Sequence, residues 1–175
     1  QMWAAQYCAF REPNTLITSG GLGSMGFEVP AALGAKVGRP DKTVWSIAGD
    51  GGFQMTLCDL ATAVENNINV KFAIMNNGTL GMVHQWQDFF YEKDYFSTVY
   101  TGNPDFVKLA EAYGITGIRV SEKGQVAEAI QQAMEIPGPV VIDFAVKADE
   151  NVFPMIPAGE SVHEMIEEPS PEPTG

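Results

Sequence analysis

Residues 43–52, TVWSIAGDGG, and residues 70–77, VKFAIMNN, decide the fold of this chain. Each stretch begins as an apolar run of the kind that forms a buried β-strand and ends in glycine or polar residues. The residues between them have the spacing of a helix. Two strands joined by one crossover helix are normally parallel, so their carboxyl ends lie at the same edge of the sheet. The sequence therefore predicts a βαβ unit whose Gly-Asp-Gly turn and paired asparagines meet where open α/β sheets bind ligands.

The residue types at this edge favour a metal-bridged diphosphate. Asp50 would provide a carboxylate oxygen and Asn77 an amide oxygen, which are ligands that magnesium or calcium prefers and zinc does not. Gly49, Gly51 and Gly52 lack a Cβ, so the backbone can approach a bulky anion and present its N–H groups. Either motif alone is an ordinary turn. Their occurrence together, 27 residues apart (77 − 50), is what predicts a site.

The composition indicates one globular domain. The 175 residues are 45% hydrophobic and 18% charged, and the net charge of −12 argues against a nucleic-acid partner. No apolar run approaches the roughly 18 residues that a membrane span needs. Cys8 and Cys58 have neither a zinc-like nor a disulfide spacing. We expect both to be small buried side chains in a protein of the reducing cytoplasm.

Two further stretches flank the central unit. Residues 20–26, GGLGSMG, follow a predicted short strand at 15–19 and could form either a second part of a diphosphate cradle or a plain tight turn. Residues 89–100 carry six aromatic side chains, which could line a substrate pocket, a subunit interface or a hydrophobic cluster under a loop. His84 has no carboxylate near it in sequence and is expected at the surface or an interface.

Helices and strands alternate along the rest of the chain, with further strands predicted at 115–120 and 139–146. This order is typical of an α/β fold, a three-layer αβα sandwich around a mostly parallel sheet. Residues 1–158 are predicted to form this domain and residues 159–175, rich in proline and glutamate, an acidic tail. The chain opens in the middle of a helix-like pattern without a cap residue, so we expect that a longer protein has been cut there.

With its Gly-Asp-Gly and Asn-Asn motifs at this distance, the chain resembles the thiamine diphosphate-dependent enzymes. Three further motifs make the resemblance closer: QMWAAQY at 1–7, TSGGLGSMGF at 18–27 and GMVHQWQ at 81–87. In this order they resemble the catalytic subunits of the acetolactate synthase (acetohydroxyacid synthase) family. The resemblance runs from residue 1 to about residue 165 and corresponds to the carboxyl-terminal third of such a subunit.

The resemblance implies a thiamine diphosphate site that contains Mg²⁺. Asp50 and Asn77 would bind the magnesium through their side chains and Thr79 through its backbone carbonyl. Met25 would lie beneath the thiazolium ring and hold the cofactor in its bent V shape. The cofactor-binding residues implied in this way are Gly23, Met25, Gly49, Asp50, Gly51, Gly52, Asn77, Thr79, Gly81 and Met82.

The parent reaction implied is decarboxylation of pyruvate and transfer of the hydroxyethyl unit to pyruvate or 2-oxobutanoate, a transferase step of branched-chain amino acid biosynthesis. Val83 and Trp86 would border the substrate channel, and Trp86 would shape the choice of the second keto acid. The activating glutamate would lie in an amino-terminal domain and FAD in a middle domain, both outside this chain. We therefore predict no catalytic residue here, and we expect the isolated chain to be inactive.

The resemblance also implies a homodimer or tetramer, a small regulatory subunit as a further partner, and a cytoplasmic location, or a plastid or mitochondrion if the parent is eukaryotic. The sequence departs from the family pattern at Gly52, where serine is common, and at His84, where arginine is common. Two alternatives stay open. The first is another thiamine diphosphate-dependent carboligase or decarboxylase, such as glyoxylate carboligase, and the second is a non-catalytic module that binds a different phosphorylated ligand.

Overall fold

The computed structural model describes residues 1–169. Over these residues the chain alternates helices with strands, and none of the helices is long and apolar enough to cross a membrane. One-turn 3₁₀ helices also lie at Leu57–Asp59, Lys123–Gln125 and Val162–Glu164. The helices are α1 (Met2–Tyr7), α2 (Glu28–Gly38), α3 (Asp50–Thr56), α4 (Leu60–Glu65), α5 (Gly81–Phe90), α6 (Phe106–Ala112) and α7 (Val126–Glu135), and the strands are β1 (Val44–Gly49), β2 (Val70–Asn76), β3 (Thr116–Val120) and β4 (Val140–Ala145).

The four strands form one parallel sheet in the order β1-β2-β4-β3. The two central strands are buried along most of their length, because helices cover both faces of a parallel sheet. The strand predicted at 15–19 is absent. Its backbone finds no neighbouring strand, and one hydrogen bond there closes within the loop, from Gly20 N–H to the Thr18 carbonyl at 2.9 Å.

Helices pack on both faces of the sheet. On the first face, α2, α3, α4 and α6 enclose a core in which Phe53 meets the rings of Phe72 and Phe106 edge-on, at centroid distances of 6.3 and 5.9 Å. On the second face, α7 packs its small residues Ala129 and Ala133 against β3 and β4. The predicted three-layer αβα sandwich with a parallel sheet is therefore confirmed.

The register of β1 and β2 positions the candidate site. Gly49, the last residue of β1, pairs with Met75, so both strands end at the same level of the sheet. Asp50 begins α3 immediately beyond β1, and Asn76 ends β2. The two polar ends predicted to meet therefore do meet at one edge.

The segment after β4 packs back onto the domain. The side-chain amide of Gln85 on α5 donates to the Val152 carbonyl at 3.0 Å and accepts from the Val152 N–H at 2.8 Å. Met155 and Ile166 then pair as an antiparallel bridge. The domain boundary at 158/159 stays a prediction, and residues 170–175 of the predicted tail lie outside the described residues. The two cysteines, expected to be buried, are exposed because neither lies on a helix face turned to the sheet.

Gly117 in β3 offers a test of how closely α6 packs on the sheet. A Cβ at this position would lie 2.8 Å from the Cα and 2.9 Å from the carbonyl oxygen of Val107, and neither backbone atom can move independently of α6. We expect Gly117→Ala to lower the free energy of unfolding by about 1–3 kcal/mol, measured by urea denaturation. Gly34→Ala on α2 is the control, because no atom of the described residues, apart from its chain neighbours and the backbone of its own helix, lies within 4 Å of the Cβ it would add. Equal urea midpoints for the two variants would contradict this packing.

Candidate functional site

The candidate site is built around the carboxylate of Asp50, which is almost completely buried. Its Oδ1 accepts a hydrogen bond from the Gly51 N–H at 3.0 Å. Its Oδ2 accepts from the Gly78 N–H at 2.9 Å and from Nδ2 of Asn103 at 2.6 Å. These bonds join the end of β1 to the loop that follows β2, so they fix Asp50 at the sheet edge.

The charge of Asp50 has no cationic partner in residues 1–169, since no Lys, Arg or His there forms an ion pair with it. Burial raises the pKa of this carboxyl, while its hydrogen bonds to Asn103, Gly78 and Gly51 lower it. A buried carboxylate without a counter-charge is unfavourable unless a cation compensates it. The residues present therefore fit a bound metal ion.

The other predicted metal ligands lie on the loop beyond β2. Oδ1 of Asn77 accepts the Thr79 N–H at 3.1 Å, so the two residues form one tight turn. The Thr79 hydroxyl is buried without a hydrogen-bond partner in the described part of the chain. Together with Asp50, this turn offers a carboxylate, an amide and backbone carbonyl oxygens, the donor set that a hard cation such as magnesium prefers.

Gly51 is the point at which three loops converge. A Cβ on this residue would overlap the Tyr100 hydroxyl, and it would lie 3.1 Å from Cδ2 of Leu80 and 3.3 Å from Cε of Met25. The glycine-rich loop at 20–26 thus reaches the Gly-Asp-Gly turn through Met25, and its part in a diphosphate cradle stays a prediction. Only glycine leaves the backbone of this turn accessible.

Gly52 lies against the side chain of Glu28. A Cβ there would lie 2.8 Å from Oε1 of Glu28, the first residue of α2. This oxygen is buried and has no hydrogen-bond partner among the described residues. Burial raises the pKa of the Glu28 carboxyl above its usual value. The Glu28 side chain therefore occupies the space that a serine at position 52 would need.

The predicted substrate residues lie together on α5, which follows the Asn77–Thr79 turn. Val83 and Trp86 are half exposed, as is Met82 of the cofactor set. These three side chains line an open cavity of about 960 Å³ together with Phe90, Tyr91 and Phe96.

The opposite side of α5 is closed. His84, expected at the surface or an interface, is buried, and its ring stacks on Tyr95 at a centroid distance of 4.2 Å. The sequence did not indicate this contact, because Tyr95 reaches His84 only after the chain has turned beyond the end of α5.

Segment 98–103 brings two further residues to the site. The sequence did not single out Asn103, and it noted Tyr100 only as one of the six aromatic residues at 89–100. The segment runs antiparallel to the loop after β2, with Leu80 N–H bonded to the Thr98 carbonyl at 2.8 Å and Tyr100 N–H to the Gly78 carbonyl at 2.9 Å. This pairing brings Tyr100 over Gly51 and Asn103 onto Asp50.

A chain of polar side chains continues from Asn103 across the sheet. Asn103 Nδ2 donates to Oδ1 of Asn76 at 3.0 Å, and Asn76 donates to Oδ1 of Asp143 on β4, also at 3.0 Å. Asp143 is fully buried and pairs with Arg119 on the edge strand β3. The site is therefore tied to all four strands.

Comparison with known proteins gives a consistent result. Residues 1–144 match the family described as thiamine pyrophosphate enzyme, C-terminal TPP binding domain, where thiamine pyrophosphate is another name for thiamine diphosphate. The chain is 54% identical to the acetolactate synthase large subunit of Corynebacterium glutamicum over 166 residues, which are 92% of this chain and 26% of that protein.

Two more distant relatives carry similar names. The chain is 44% identical to the acetolactate synthase isozyme 2 large subunit of Escherichia coli over 167 residues, 95% of this chain and 30% of that protein. It is 46% identical to the chloroplastic acetolactate synthase 2 of Nicotiana tabacum over 176 residues, 96% of this chain and 26% of that protein. The chain thus spans less than a third of the length of these relatives.

Proposed function

Since the chain belongs to the thiamine pyrophosphate enzyme family, as its C-terminal TPP-binding domain, we propose that it is the cofactor-binding part of an acetolactate synthase catalytic subunit. The parent protein then decarboxylates pyruvate and transfers the hydroxyethyl unit to pyruvate or 2-oxobutanoate. The observation that carries this proposal is the similarity of 92 to 96% of the chain to acetolactate synthases. The uncompensated charge of Asp50 supports it independently, because that charge fits a metal-bound diphosphate.

Within this function the chain's own residues bind and orient the cofactor. Asp50, Asn77 and the Thr79 carbonyl would hold Mg²⁺, and the backbone of Gly51 and Gly52 would face the diphosphate. When bound, thiamine diphosphate supplies the electron sink for the decarboxylation. The further cofactor contacts would come from Gly23, Met25, Gly49, Gly81 and Met82.

The substrates would enter beside α5. Val83 and Trp86 lie exposed in the cavity next to the loop that carries Asn77 and Thr79, so they would border the keto acids. The glutamate that activates the cofactor and the FAD would belong to other domains of the parent. The chain alone would therefore bind thiamine diphosphate but would not convert the keto acids. The parent would form a homodimer or tetramer, with a small regulatory subunit, in the cytoplasm or in a plastid or mitochondrion.

Product analysis tests this function. The full-length protein that carries this sequence is incubated with pyruvate, thiamine diphosphate, Mg²⁺ and FAD, and we expect acetolactate. With 2-oxobutanoate added, we expect acetohydroxybutyrate as well. A carboligation product from glyoxylate and none from pyruvate would instead favour the alternative carboligase, and cofactor binding without any product would favour the non-catalytic module.

A further inference from the structure

The side-chain amide of Asn103 forms hydrogen bonds at the candidate site through both its nitrogen and its oxygen. Nδ2 faces two acceptors, Oδ2 of Asp50 at 2.6 Å and Oδ1 of Asn76 at 3.0 Å. On the other side, Oδ1 of Asn103 faces a donor, Nε2 of Gln54, at 3.4 Å. This arrangement fixes which way the amide points, because turning it over would set oxygen against two oxygens and nitrogen against nitrogen.

The bond from Asn103 decides which oxygen of Asp50 can meet a cation. A carboxylate offers about four lone-pair positions, two on each oxygen. On Asp50 Oδ2 both are taken, by Gly78 N–H and by Asn103. On Oδ1 one is taken, by Gly51 N–H, and no other residue of the described range 1–169 donates to this oxygen. Within residues 1–169, Oδ1 of Asp50 therefore has fewer hydrogen-bond partners than Oδ2 and is the more accessible oxygen for a metal.

Binding through one oxygen favours a small cation. Magnesium demands near-octahedral geometry, whereas calcium takes six to eight oxygen ligands and often binds a carboxylate through both oxygens. We propose that Asn103 is a positioning residue that selects the metal: by occupying Oδ2 it restricts Asp50 to one metal-facing oxygen and favours Mg²⁺ over Ca²⁺. This inference rests on the proposed function, since it takes the metal to be the one that holds the diphosphate.

The test compares two metals in the same protein. Full-length protein is freed of metal and cofactor, thiamine diphosphate is kept in excess, and Mg²⁺ or Ca²⁺ is titrated calorimetrically. In Asn103→Leu and in Asn103→Ala we expect the ratio of the two dissociation constants to shift toward Ca²⁺ by about tenfold, the lower end of what outer-shell metal contacts contribute. If Asn103 had only a structural role, its loss would weaken the binding of Mg²⁺ and Ca²⁺ alike. The ratio of the two dissociation constants, taken within each variant, would then stay unchanged.

Asn151→Leu is the matched control. Nδ2 of Asn151 donates to Oδ2 of Asp88 at 2.6 Å, so this substitution removes an amide–carboxylate bond of the same length outside the site. We expect its Mg²⁺ to Ca²⁺ ratio to equal that of the wild type. An unchanged ratio in both Asn103 variants would overturn the role of Asn103 and leave the proposed function intact, whereas no metal-dependent binding in the wild type would overturn both.

A crystal structure of the wild-type protein with Mg²⁺ and thiamine diphosphate tests the inference without any variant. We expect Asp50 to bind the metal through Oδ1, with Asn103 still bonded to Oδ2. Asp50 bound through both oxygens would refute the inference even if neither Asn103 variant folded.

Discussion

Asp50→Asn is expected to abolish magnesium-dependent binding of thiamine diphosphate while changing the stability of the metal-free protein only modestly. The substitution keeps the size of the side chain and removes its charge. Loss of an outer-shell partner alone costs about 10- to 100-fold in metal affinity, and loss of the ligand itself should exceed that range. The stability should change only modestly, because two effects oppose each other. The charge removed is buried and has no cationic partner in residues 1–169. The amide nitrogen, however, cannot accept the bond that Oδ1 receives from Gly51 or those that Oδ2 receives from Gly78 and Asn103, so at least one buried hydrogen bond is lost.

Calorimetric titration of thiamine diphosphate with Mg²⁺ measures the first effect and thermal unfolding the second. Asp41→Asn is the control, since it makes the same chemical change in an exposed carboxylate that pairs with Arg39 between α2 and β1. If Asp50→Asn gives the same binding heat as Asp41→Asn, Asp50 is not a ligand of the metal. A large fall in the unfolding temperature of Asp50→Asn would mean that this carboxylate is structural.

The sequence predicts the central part of the site because two local signals and one topological rule determine it. An apolar strand followed by Gly-Asp-Gly, and another followed by Asn-Asn, can be identified residue by residue. The parallel crossover rule then brings their ends to the same edge. The bond from Gly78 N–H to Asp50 shows that they meet. The binding roles of these residues stay predictions until a titration tests them.

The residues that the sequence did not assign to the metal and diphosphate site all reach it through non-local pairing. Tyr100 and Asn103 arrive there because segment 98–103 runs back along the loop at 78–80. No periodicity or turn signal indicates that return. Glu28 was missed for a related reason, because its carboxyl contacts Gly52, which is far from it in sequence. Patterns therefore identified the strand ends, and tertiary contacts added the residues that surround them.

The pairing of Glu28 with Gly52 changes how the departure from the family pattern is interpreted. From sequence alone, Gly52 removes a hydroxyl that could contact the diphosphate. In the structure, a Cβ at position 52 would lie 2.8 Å from Oε1 of the Glu28 carboxyl. Positions 28 and 52 therefore form one packing unit, and a serine introduced at 52 would have to displace Glu28.

Gly51→Ala should have the second largest effect, on stability and on cofactor binding together. The new Cβ would overlap the Tyr100 hydroxyl and crowd Leu80 at 3.1 Å. The backbone of Tyr100 is fixed by the bond from its N–H to the Gly78 carbonyl at 2.9 Å, so the hydroxyl can withdraw only if the side chain rotates. We expect a loss of about 1–3 kcal/mol in the free energy of unfolding and weaker binding of thiamine diphosphate, measured by urea denaturation and by calorimetry.

A double substitution separates steric overlap from a direct loss of backbone contact. Tyr100→Phe deletes the overlapped hydroxyl, so Gly51→Ala combined with Tyr100→Phe should recover part of the lost stability, and the coupling between the two changes should be favourable. Gly124→Ala, in a 3₁₀ turn, is the control and should be close to neutral, because among residues 1–169 no atom beyond its chain neighbours and the backbone of its own turn lies within 4 Å of the added Cβ. If Tyr100→Phe and Gly51→Ala are simply additive, the hydroxyl does not restrict position 51. Recovery of stability without recovery of binding would show instead that the diphosphate needs a bare backbone at this turn.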